Sequence, residues 1–71
     1  MKPSIITSYE PAKVSSAEKE LGNMKQANMI GEWNKFRTIT TVVWYFETEE
    51  DAREVAPLFM NRFGFEYVQR P

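Results

Sequence analysis

Apolar residues follow two clear patterns along this chain. From Phe36 to Phe46 the sequence Phe-Arg-Thr-Ile-Thr-Thr-Val-Val-Trp-Tyr-Phe is almost wholly β-branched or aromatic, which suits a pleated, packed surface. It predicts one strand over 36–46. Farther on, Ala52, Val55, Ala56, Phe59, Met60 and Phe63 are spaced by three and by one, which gathers them on a single helical face. That helix is expected to start at Thr48 and stop at Gly64. Glu49, Glu50 and Asp51 fill its first turn, where carboxylates meet free amides and the positive end of the helix dipole. Pro57 falls inside the stripe and predicts a kink.

The remaining elements are written less strongly. Ser4–Tyr9 reads as a short strand after Pro3, with Pro11–Val14 as a connection. Ser15-Ser16-Ala17-Glu18 matches a capping box and predicts a helix start. Ala17, Leu21 and Met24 then share a face. Gly22-Asn23 leaves two readings open. The helix ends near Leu21 and residues 24–30 form a strand, or it runs on to about Ile30. The propensities of Lys, Gln, Ala and Met favour the longer helix. Gly31-Glu32-Trp33-Asn34 reads as a turn, and Phe65–Gln69 as a final strand. The order is β-α-(β)-β-α-β, with the second strand open. It predicts an α+β, ferredoxin-like two-layer sandwich: two helices on one face of a mainly antiparallel sheet, with the last strand–helix–strand unit a right-handed parallel crossover. Without the second strand the sheet has three strands.

The segment Val42-Val43-Trp44-Tyr45-Phe46-Glu47-Thr48-Glu49-Glu50-Asp51-Ala52 resembles the third strand and second helix of RNA-recognition motifs and other ferredoxin-like domains. The match covers about a dozen residues and implies a fold, because one packing demand writes the same pattern in many families. RNA-binding members stack bases on aromatics of the open face of this strand. Aligning Phe46 with the family's terminal Phe puts Thr41 and Val43 at those positions, and neither stacks a base well. Nine Lys and Arg against ten Asp and Glu give a net charge of −1, a poor match to phosphate. Lys25, Lys35 and Arg37 read as a solvated rim. The expectation is therefore against nucleic acid. A single-stranded nucleic-acid module is kept as an alternative.

Composition removes several chemistries. The 71 residues make one domain and include no Cys and no His, so disulfides, thiolate metal sites and the usual neutral-pH acid–base are absent. No Ser-x-x-Lys motif or Gly-rich phosphate loop occurs. Glu47, Glu49, Glu50, Asp51 and Glu54 could hold a hard cation through oxygens, but they read first as an acidic helix start. No cofactor, no metal and no catalysis are expected. There is no signal-like apolar stretch, and the longest apolar run, Val42–Phe46, is far short of a membrane span. A soluble, cytoplasmic protein without membrane contact is expected.

The strongest functional lead is that the 36–46 strand is apolar on both faces near its end. Val42, Trp44 and Phe46, with Phe65 and Tyr67, are assigned to the helix side. Ile39, Val43, Tyr45 and Val68, with Ile5 or Ile6, are assigned to the opposite side, diluted by Arg37, Thr41, Glu66 and Arg70. A side this apolar calls for a cover. A second copy in a two-fold dimer is the simplest one. Trp33, in the expected turn, is a candidate anchor for a partner. The expected function is that of a non-enzymatic interaction protein (adaptor, inhibitor or accessory subunit) that works as a homodimer. The other alternative is a small-ligand sensor with a site at the dimer cleft.

Overall fold

A computed structural model describes residues 2–70, apart from the side chain of Arg70. The chain runs β1 (Ser4–Ser8), α1 (Pro11–Gln26), β2 (Trp33–Arg37), β3 (Thr41–Phe46), α2 (Glu49–Asn61) and β4 (Tyr67–Arg70). The strands form one sheet in the order β2-β3-β1-β4, and every adjacent pair is antiparallel. β3 and β4 both oppose β1, so they run parallel to each other, as the expected crossover requires. This is the α+β fold read from the sequence, and the strand order fits the ferredoxin-like layout.

The first helix starts one turn earlier than its capping box. Pro11 occupies the first turn, where it has no amide to leave unpaired and its φ is already helical. Starting there also brings Val14 into the core with Ala17, Leu21 and Met24. Ser15 and Glu18 therefore lie within the helix and cap nothing. The longer reading of α1 holds, since the helix passes through Gly22 to Gln26. Its stop signal is Asn28, in the left-handed region at φ 60°. Asn28 donates to the Lys25 carbonyl at 3.0 Å and Met29 to the Met24 carbonyl at 2.9 Å, the paired bonds of a Schellman ending.

The expected long strand is two strands. Residues 38–41 form a hairpin turn in which the Thr38 amide donates to the Thr41 carbonyl at 2.8 Å, and the Thr41 amide donates to Thr38 Oγ1 at 3.0 Å. A threonine hydroxyl thus takes the place of a backbone carbonyl, with no Gly, Asn or Pro to announce the turn. The doubtful second strand exists, but at 33–37 rather than 24–30. Trp33 and Asn34 are strand residues, not a turn. Because Thr38 bonds across to β3, bonding alternates back along β2. The amides of Trp33, Lys35 and Arg37 therefore face the outer edge. The Lys35 amide donates to its neighbour's Asn34 Oδ1 at 2.9 Å.

Thr48 caps α2 as expected, its hydroxyl accepting from the Asp51 amide at 3.1 Å. Ala52, Val55, Ala56, Phe59 and Phe63 are buried, whereas Met60 leaves the stripe and is exposed. Pro57 lies inside the helix on its exposed side. Phe65 does not join β4. Gly64 turns the chain at φ 74°, and the Phe65 amide donates to the Phe59 carbonyl at 2.7 Å, which seats the Phe65 ring in the core.

Both helices pack on the sheet face formed by Ile5, Val42, Trp44 and Phe46. Phe59 is the centre of this core, with ring centroids 5.1 Å from Trp44, 5.6 Å from Phe63 and 5.7 Å from Phe65. Among the described residues, no helix is long and apolar enough to cross a membrane.

Candidate functional site

The ladder registers fix what each strand presents away from the helices. Phe36 pairs with Val43, Val43 with Ile6, and Ile6 with Val68. These four side chains form one straight apolar row across the whole sheet. The row is about 14 Å long, three interstrand spacings of about 4.8 Å each. On one side it is flanked by Asn34, Tyr45 and Ser4, which are also in register. On the other side lie Thr41 and Ser8, again paired. Among the described strand side chains on this face none is charged. Glu66 lies just before β4, and the diluting charge expected from Arg70 lies outside the described side chains. An apolar centre bordered by hydroxyls and an amide has the anatomy of an interface.

The row is not level. Phe36 is 63% exposed at one end and Val68 58% at the other, while Val43 and Ile6 between them are half-buried. A shallow depression of about 770 Å³ wraps the end of the sheet, from Ile6 and Val68 on this face round to Lys13, Gly64 and Tyr67 on the helix side, with Glu10 beside Lys13. Lys13 Nζ donates to the Gly64 carbonyl at 3.0 Å and lies 3.0 Å from Glu10 Oε1. The Ser8 hydroxyl and Lys13 both bond the Glu10 carboxylate and hold its pKa below the usual value.

Of the residues assigned to this face from sequence, Val43, Tyr45 and Val68 are on it. Ile39 is not. It sits at the tip of the hairpin, 91% exposed, because the chain turns where one strand was expected. Trp33 is also not on it. In β2 it faces the helices and packs half-buried against the core, its ring centroid 6.2 Å from that of Trp44. Phe36 belongs to the face and was missed. Of Ile5 and Ile6, the register selects Ile6 and buries Ile5.

Lys25, Lys35 and Arg37 do not converge on one spot. Lys25 pairs with Glu32 at 2.8 Å and Lys35 with Glu18 at 3.7 Å, while Arg37 lies 3.8 Å over the Tyr9 ring. The bond to Lys25 also lowers the pKa of Glu32. At the acidic helix start, Asp51 Oδ2 accepts from the Gly31 amide at 3.0 Å, and Glu47 faces Lys2 at 3.8 Å. Among the described residues no three acids gather as a metal-binding group. Comparison with known families, curated proteins and solved structures returns no match.

Proposed function

We propose that this protein is a small non-enzymatic interaction module that self-associates through the open face of its sheet. One observation carries the reading: an apolar row crosses all four strands on a face where no described strand side chain is charged. A second copy is the favoured occupant because a two-fold contact sets a surface against itself. A charged face would then meet like charge, and the described strand side chains of this face carry none. Its hydroxyls and amide can each donate and accept, so identical rims can satisfy one another.

The size of the face sets the strength. Four strands about 4.8 Å apart and about five residues long give a footprint of roughly 300 Å². That is well below the roughly 800 Å² per partner of a standard interface. The dimer is therefore weak and populated in a concentration-dependent way. Such an exchangeable contact suits an adaptor, an inhibitor or an accessory subunit.

Sedimentation velocity from low to high micromolar concentration tests this reading. The expected result is a mass that rises from one copy to two. Tyr45→Lys, which places an ammonium beside the apolar row, should give a soluble monomer throughout. A wild-type protein that stays monomeric at high micromolar concentration removes the proposal.

A further inference from the structure

None of the described side chains of β4 is buried. Val68 is more than half exposed, Gln69 is exposed and Tyr67 is half-buried. The core at this corner is shut by the residue upstream of the strand. The Phe65 ring is fully buried, 5.7 Å from that of Phe59, and the Phe65 amide donates to the Phe59 carbonyl at 2.7 Å. Lys13 ties down the turn beside it through the Gly64 carbonyl. We infer that β4 is a detachable strand: it opens from β1 as a unit beyond the Phe65 anchor, while the other three strands and both helices stay folded. This does not depend on the self-association proposed above.

The ladders define what opening breaks. At the two ends of the β1–β3 ladder, the Phe46 amide donates to the Pro3 carbonyl at 3.0 Å and the Tyr9 amide to the Thr40 carbonyl at 2.9 Å. Bonding alternates along an antiparallel pair. Ile5 and Thr7 therefore bond β3, whereas Ser4 and Ile6 bond β4, opposite Arg70 and Val68. Detaching β4 breaks the backbone bonds of Ser4 and Ile6 on that side and strips the half-buried Tyr67 from the core edge. β1 itself stays in place. Ile5 is fully buried, and Thr7 Oγ1 holds the buried Trp44 ring at 3.0 Å. A segment with few buried apolar contacts opens at a lower free energy than the whole fold. Its withdrawal takes Val68 out of the apolar row and turns the Ser4 and Ile6 backbone into an open sheet edge.

Native-state hydrogen exchange tests this, read amide by amide by NMR in rising, sub-denaturing urea, at a dilution where sedimentation shows one copy. β1 carries its own control, because neighbouring amides face different strands. The Val68 and Ile6 amides are expected to be at least about tenfold less protected than those of Ile5, Thr7 and Tyr9, and nearly insensitive to urea, since local opening exposes little surface. Val68→Gly, which weakens a strand from within, should lower protection at Ile6 further. It should leave protection at Ile5 and Thr7, and the urea midpoint of the whole domain, nearly unchanged. Equal protection and equal urea slopes for Ile6 and its two neighbours would mean that β4 opens only with the whole sheet, which overturns the inference. A Val68→Gly midpoint that falls in step with protection at Ile6 overturns it as well.

Discussion

Trp44 shows what a single hydrogen bond does in a core this small. Its ring is fully buried, and its Nε1–H donates to Thr7 Oγ1 at 3.0 Å, itself a side chain only 2% exposed. Neither group has water to fall back on. Thr7→Val keeps the shape and removes the acceptor, leaving the indole N–H buried and unpaired. The expected loss is about 1–3 kcal/mol of stability, read from urea denaturation. Thr7→Ser keeps the acceptor and should lose less. The inward direction of Trp44 was legible in the sequence from alternation with Val42 and Phe46. Its partner was not, because a hydroxyl on another strand, separated by 37 positions in sequence, leaves no local pattern. The same limit explains Trp33. Between Glu32 and Asn34 it looks like an exposed anchor, and only pairing with Phe46 places it on the helix side.

At the scale of elements, two glycines give opposite predictions. Gly22 lies within α1, and a methyl group added there meets no atom within 4 Å. Gly22→Ala should therefore stabilise the protein by about 1 kcal/mol, since Gly is the costlier residue in a helix interior. Gly64 turns the chain at φ 74°, so Gly64→Ala should cost about 1–2 kcal/mol. Thermal unfolding of the two variants should move Tm in opposite directions. α2 was the most legible element, because its stripe, its Thr48 cap and its acidic first turn are all local signals that agree. α1 was legible in its face and not in its ends. The capping box at Ser15 was outcompeted by Pro11, and the true stop at Asn28 was overshadowed by Gly22-Asn23. The hairpin was the costliest omission. Its turn is built from threonines that read as strand formers, and missing it both misplaced Ile39 and hid Phe36. Counting alternation back from Thr38 would have placed Phe36 beside Val43.

At the scale of the whole molecule, a face whose described strand side chains carry no charge makes a prediction about salt. Exposed charges are screened over about 10 Å at 0.1 M ionic strength, but the apolar row offers nothing to screen. The dissociation constant of the proposed dimer should change little between low and moderate salt, as measured by sedimentation equilibrium. The Tm should rise with protein concentration, since association favours the folded state by mass action. A strongly salt-sensitive association would instead point to contacts through ion pairs away from the row, such as Lys25–Glu32, Lys35–Glu18 or Lys13–Glu10. The outline of this face was legible because only one side of the sheet has helices to cover it. Its straight row was not, since it exists only once three strand registers are known.

The Asn34 side chain has one more effect. By accepting the Lys35 amide, it occupies the middle donor on the outward rim of β2. Endless growth of one sheet from molecule to molecule would need the free rim of β4 in one chain to zip onto the rim of β2 in the next. With one of its three outward amides already taken, that second rim is a poorer template for such a ribbon, which disfavours edge-to-edge growth of the sheet.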